Sequence, residues 1–339
     1  MGDGTVGDDG TRADEEFDEF DHYDLPSFVG SATFQKLPLC PDDETLAASG
    51  AEVAIVGAPF DDAASNRPGA RFGPRAIRAA TYHSGHLWSI QLESEVFSRV
   101  RCVDAGDAPV VPSRPERAHR VIREKVRRVA AAGVVPIVLG GDHSITYPAA
   151  AAVSGTMRPR RLGVVHFDAH ADTGAEVWGA LLSHGTPMRR LIEEGWVEGR
   201  NFVQVGLRGY WPERETFEWM RDQGMRWHRM VEIEERGAEA VVARAIEEAL
   251  DGPDAVYLSV DIDVLDPSAA PGTGTPEPGG MLSRELLRAI RQIVSSVDLA
   301  GMDVVEVSPP YDHAEITASA AHRCVLEALS ALAAKKGDA

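Results

Sequence analysis

Three short clusters in this chain carry the side chains that bind cations. Residues 140–144 read Gly-Gly-Asp-His-Ser, residues 168–172 read Asp-Ala-His-Ala-Asp, and residues 261–263 read Asp-Ile-Asp, with Asp266 close behind. Each follows an apolar, β-branched run, where carboxylates and imidazoles are costly unless they are paired or bind cations. A spacing of two on an extended chain puts alternate side chains on one side. Asp168, His170 and Asp172 can therefore point together, and so can Asp261 and Asp263. With His143 they make two imidazoles and four carboxylates, too many for one tetrahedral zinc. An oxygen-rich mixed set suits two divalent ions, manganese first, with nickel or cobalt also compatible. Two such ions about 3.5–4 Å apart can share carboxylates and acidify a water between them. Singly, each cluster has an ordinary reading: an Asp-x-His turn, or Asp142 and Ser144 capping a helix. Three clusters at three strand ends favour metal.

The elements that must position them are legible as alternating strands and helices. Strand-like runs occupy residues 52–57 (EVAIVG), 100–103, 134–139 (VVPIVL), 162–167 (LGVVHF), 201–207, 255–260 (AVYLSV) and 301–307 (GMDVVEV). Helical patterns lie at 74–80, 114–132, 144–152, 213–223, 238–250, 284–295 and 318–334. This alternation predicts a three-layer α/β/α domain around a mostly parallel sheet. Ligands in such sheets gather at the carboxyl ends of the strands, where the three clusters and Glu306 fall. A stretch without a Gly-x-Gly-x-x-Gly after the first strand disfavours a dinucleotide enzyme. The Gly-rich residues 272–280 lack the Gly-Lys-Ser/Thr of a phosphate loop and read as a Pro/Gly loop at the site.

A net charge of -19 over 339 residues argues against nucleic acid and anionic membranes as partners. Part of that charge sits in residues 13–24 (ADEEFDEFDHYD), so residues 1–24 are expected to be a solvated, disordered acidic tail and 25–339 one catalytic domain. Three scattered cysteines, Cys40, Cys102 and Cys324, fit a reducing cytoplasm rather than a disulfide framework. No apolar run is long enough for a membrane span.

Taken in order, GGDHS (140–144), DAHAD (168–172), SHGTP (183–187), SVDIDVLDPSAAPGTGTPEPGG (259–280) and MDVVEVSP (302–309) resemble the signatures of the ureohydrolase family, the arginases, agmatinases and guanidinobutyrases. RPGARFGP (67–74) resembles its N-terminal signature. The resemblance spans roughly residues 30–335. It implies an arginase-like fold, the six ligands above, Asp172 as both ligand and catalytic group, His184 as a partly exposed proton shuttle, and Glu306 as partner of the guanidinium. It also implies hydrolysis of a small guanidino compound to urea and an amine, in a homo-oligomer, hexamer or trimer. The apolar side chains of residues 25–45 are expected to pack on a neighbouring copy.

The arginase form would need Asn and Ser in the loop after Asp172. Residues 173–182 (TGAEVWGALL) contain neither, so agmatine is expected rather than arginine, with guanidino acids such as 4-guanidinobutyrate or 3-guanidinopropionate, or guanidine itself, as alternatives. Trp178, Tyr210 and Trp211 are candidates for an aromatic pocket wall, and Thr275 leaves room for an alkyl tail. Arg208 or Arg71 could receive a carboxylate tail. A mono-zinc deacetylase of the same fold would lack the full ligand set, and a non-catalytic subunit would have lost ligands.

Overall fold

In the computed structural model, residues 26–157 and 161–337 are described. The acidic tail expected over residues 1–24 lies outside them. Eight strands form the main sheet: β1 (Val53–Ala58), β2 (Cys102–Asp107), β3 (Val135–Gly140), β4 (Leu162–Phe167), β5 (Phe202–Leu207), β6 (Arg226–Arg229), β7 (Ala255–Asp261) and β8 (Leu299–Val305). Their spatial order is β2-β1-β3-β8-β7-β4-β5-β6, and every pairing is parallel. Among the described residues, ten α-helices accompany them: α1 (Asp43–Ser49), α2 (Gly73–Ala79), α3 (Pro115–Ala131), α4 (Thr146–Met157), α5 (Pro187–Glu193), α6 (Arg214–Asp222), α7 (Met230–Arg236), α8 (Ala238–Ala249), α9 (Ser283–Ser296) and α10 (Ile316–Lys335). A parallel sheet needs crossovers, and the helices cover both faces.

Alternation along the strands divides the core in two. Val53 and Ile55 face one hydrophobic cluster, with α8, α9 and α10. Ala54, Val56 and Ala58 face the other, with α3 and α4. Helix α3 buries Ala118, Ile122, Val126 and Val129, spaced four, four and three apart along one face. Helix α4 buries nearly all round, with Ala149 to Ala152 admitting close approach to the sheet.

Three expectations need correction. Strand β2 begins at Cys102 rather than at residue 100. The edge strand β6 reads as Arg-Trp-His-Arg, without the apolar run that marks a strand, and was not anticipated. Among the described apolar residues before β1, Phe34 and Leu37 are buried in this chain's own core, while Phe28, Val29 and Leu39 stay exposed. Cys40, Cys102 and Cys324 are buried free thiols. No helix among the described residues is long and apolar enough to cross a membrane.

Candidate active site

The strand order explains the convergence. The four central neighbours β3, β8, β7 and β4 all end in site residues. Pairing of Phe167 with Val260 sets Asp168 beside Asp261, and pairing of Val305 with Asp261 sets Glu306 one step beyond. The turn after β3 carries Asp142, which caps a short helical turn by accepting the Ser144 N–H. Gly141 is required there, since a Cβ would lie 1.7 Å from the Phe60 carbonyl oxygen. That close approach seats His143 against the loop that follows β1.

All six proposed ligands meet. Nδ1 of His143 lies 3.0 Å from Asp168, 2.9 Å from Asp172 and 3.1 Å from Asp261, yet has no hydrogen-bond partner of adequate geometry. Nε2 of the same ring is 3.0 Å from Ser259 Oγ, whose own proton goes to Asp303 at 2.7 Å. Asp303 also accepts from Tyr257 and Thr146. This chain makes Ser259 an acceptor toward the imidazole, so Nε2 carries the hydrogen and Nδ1 presents its lone pair to three carboxylates. Such an arrangement repels itself unless a cation stands between. A second group forms around His170, whose Nδ1 is 3.1 Å from Asp263 and 3.4 Å from Asp168. Asp168 belongs to both groups.

The electrostatics agree. Burial, then Asp263 and Asp168, holds the Asp261 carboxyl well above its ordinary range. Burial, then Asp168, raises Asp263 and Asp172 as well. Burial favours neutral His170, but Asp263 and Asp168 overcome this and push it up to about 12. Four buried carboxylates without a lysine or arginine partner require positive charge at their centre, and an N/O donor set of this kind suits divalent ions.

His166 was missed in the sequence. Its Nδ1 accepts from Gln204 and its Nε2 donates to Asp168 at 2.8 Å, so it aims the carboxylate rather than binding a cation. Its signal was the same period of two, since His166 precedes Asp168, His170 and Asp172. Asp266 caps its own loop through Ser268 and Gly279 and does not join the cluster.

Beside the clusters lies a cavity of about 370 Å³, lined by His170, Asp172, Asp261, His184, Trp178, Trp211, Thr275, Val177, Ser65, Gly185 and Glu213. Glu306 is buried behind His184, one of the lining residues. Oε1 accepts from the His143 backbone N–H at 2.8 Å and lies 3.0 Å from His184 Nδ1, while buried Oε2 has no partner. Glu306 takes a left-handed φ of 63° just past β8, which is backbone strain at a functional position. His184 is not partly exposed as expected: its side chain is only 11% accessible and touches Glu306 directly. Trp178 stands at the tip of a tight turn closed by Val177 and Ala180, with φ 49° and 86% exposure. Trp211 packs edge-on to His170, and Thr275 reaches Asp263 at 3.3 Å. Tyr210 is not brought to the cavity. It is fully exposed beside a neighbouring groove. Arg71 is paired with Asp61 and Asp62, and Arg208 donates to the carbonyls of Asp263, Leu265 and Glu277, so neither faces the cavity.

Residues 51–331 match the arginase family model. The chain belongs to the arginase family. It is 42% identical over 318 residues to a guanidinopropionase of Pseudomonas aeruginosa, covering 92% of this chain and 95% of that protein. It is 38% identical over 307 residues to a mitochondrial agmatinase of Gallus gallus, covering 90% and 86%. The solved proclavaminate amidinohydrolase of Streptomyces clavuligerus superposes with a TM-score of 0.84 at 38% identity, over 92% of this chain and 100% of that one.

Proposed function

We propose that this arginase-family hydrolase cleaves agmatine to putrescine and urea. The class follows from the family and from relatives that are guanidinopropionases, guanidinobutyrases and agmatinases. The choice of an amine tail rests on one observation. Among the described residues, the cavity wall contains Glu213 and no lysine or arginine. A cationic tail finds a complementary charge there, and a carboxylate tail finds none. Absence of Asn and Ser from residues 173–182 leaves an arginine head group without its expected partners.

In this reading, Oε2 of Glu306 receives the guanidinium N–H and fixes the planar cation. Trp211 and Trp178 flank the alkyl chain, and His184 moves the proton that the leaving amine needs. His143, Asp168, His170, Asp172, Asp261 and Asp263 would hold two divalent ions, manganese first, which when bound would supply an acidified water near neutral pH.

A second reading is hydrolysis of guanidino acids, favoured by the 42% identity to a guanidinopropionase. Urea release from agmatine, 4-guanidinobutyrate, 3-guanidinopropionate, arginine and guanidine, after manganese or nickel loading, separates them. Highest kcat/KM on 3-guanidinopropionate or 4-guanidinobutyrate would replace the agmatine reading. Glu213→Gln is expected to raise KM for agmatine roughly 2–5-fold with kcat little changed, because the carboxylate is exposed and screened. An unchanged KM would remove Glu213 from tail recognition.

The same reading places the enzyme in a reducing compartment, the cytoplasm, consistent with three unpaired thiols. We also propose a trimer or hexamer, as the family resemblance implies, with exposed Tyr82, Trp88 and Ile90 as apolar surface available for contact. A monomer in light scattering at micromolar concentration would overturn that.

A further inference from the structure

His184 has no ring nitrogen free. Nδ1 is engaged by Glu306 at 3.0 Å, and Nε2 lies 2.6 Å from Ser65 Oγ and accepts the Ser65 backbone N–H at 3.1 Å. Both His184 and Ser65 line the cavity, and the Nε2 edge of the ring is covered by Ser65.

The contact is built from both sides. The His184 N–H donates to the Ala63 carbonyl, and Ser183 Oγ donates to that same carbonyl. The Ala63 N–H is held by Asp142 at 2.9 Å. On the far side, Asn66 donates to the Gly274 carbonyl at 3.1 Å and the Gly69 N–H to Asp61 at 2.7 Å. Residues 61–69 are thus tied to the turn that carries His143 and to the loop over Glu306, with Ser65 between the ties. An acceptor from the Ser65 N–H at Nε2 leaves the imidazole hydrogen on Nδ1, directed at Glu306, and the Nε2 lone pair directed at Ser65 Oγ.

We propose that Ser65 relays protons between His184 and the active-site cavity. The hydroxyl gives its proton to one side as it takes one from the other, so one O–H bond breaks, one forms, and the serine is unchanged. Running outward from the imidazolium, the Nε2 proton passes to Ser65 Oγ while the Ser65 proton passes to the leaving nitrogen or to cavity water, which restores the neutral ring with its hydrogen on Nδ1. His184 reaches the reacting nitrogen through Ser65, which is a relay residue. The inference rests on the amidinohydrolase reading for its reaction, not on the choice of agmatine.

The test compares wild type, Ser65→Ala and Ser65→Thr, manganese-loaded, on whichever guanidino compound wild type turns over fastest. Ser65→Ala is expected to lower kcat on the order of 10²-fold, with KM and bound metal unchanged. Imidazole in the buffer should restore part of the loss, and Ser65→Thr, which keeps the hydroxyl, should retain most turnover. Full kcat in Ser65→Ala, a loss confined to KM or metal content, or a loss that imidazole cannot rescue would each overturn the relay. If wild type releases urea from none of these compounds, the functional reading fails separately. The contact is then read by NMR of ¹⁵N-histidine-labelled protein. Ser65→Ala should shift the His184 Nε2 resonance, and an unmoved resonance would overturn the inference.

Discussion

Asp168→Asn is expected to end urea release and to lose both metal ions together. Asp168 is the one carboxylate common to both ligand groups: Oδ2 faces His143 Nδ1 at 3.0 Å, and Oδ1 faces His170 Nδ1 at 3.4 Å. Its orientation is fixed by His166 Nε2 on one oxygen and the His170 N–H, at 2.6 Å, on the other. An asparagine keeps the shape but replaces one acceptor by a donor and removes a buried charge. Turnover should fall on the order of 10³-fold or more, about 4 kcal/mol of lost transition-state stabilisation.

Elemental analysis should drop from two ions per chain to none held tightly. Asp263→Asn provides the contrast, because Asp263 belongs to the His170 group alone, and should cost one ion. Heat stability gives an independent reading. Asp168 is a cause of the raised carboxyls at Asp172, Asp261 and Asp263. Chelation of wild type should therefore lower its Tm by exposing that repulsion, and the variant should show little drop. A variant that keeps two tight ions and full turnover would refute the shared-ligand arrangement.

Glu306→Gln is expected to reduce kcat/KM by about 3–4 kcal/mol of transition-state binding, roughly 10²–10³-fold, with both ions retained. Oε2 is a buried, unpartnered acceptor beside Gly274, the position from which a carboxylate can meet a planar cation. The amide keeps one acceptor but loses the charge that balances the guanidinium.

Its neighbour complicates a clean separation of roles. Because Oε1 holds His184 Nδ1, the substitution also disturbs the imidazole. The losses from Glu306→Gln and His184→Ala should then be less than additive in the double variant, whereas independent groups would add. Strict additivity, or a Glu306→Gln enzyme with unchanged kcat/KM, would mean that this pair does not work as a unit on the substrate.

Much of the fold could be read locally. Residues 162–167 and 255–260 announced buried parallel strands by unbroken apolar runs, and α3 by its one-sided spacing, because burial on two faces or on one leaves a period in the chain. The ligand set was equally local: a spacing of two after a strand end delivers side chains to one side whatever the sheet does. Chain chemistry alone therefore determined a parallel α/β domain and pointed to His143, Asp168, His170, Asp172, Asp261 and Asp263 as candidate cation ligands. Tertiary structure decided the rest. Strand order is not written in any one segment, and it alone made β3, β8, β7 and β4 neighbours and drew the clusters to one point. Strand β6 was invisible because an edge strand with one covered face need not be apolar. Ser65 and Glu213 carry no motif, since a hydroxyl or an exposed carboxylate gains its meaning only from what lies within about 3 Å of it. Tyr210 and Trp211 are adjacent in sequence and equal in aromatic character, yet only Trp211 reaches the cavity. The direction in which a loop side chain points depends on contacts distant in the chain, and no local period records it.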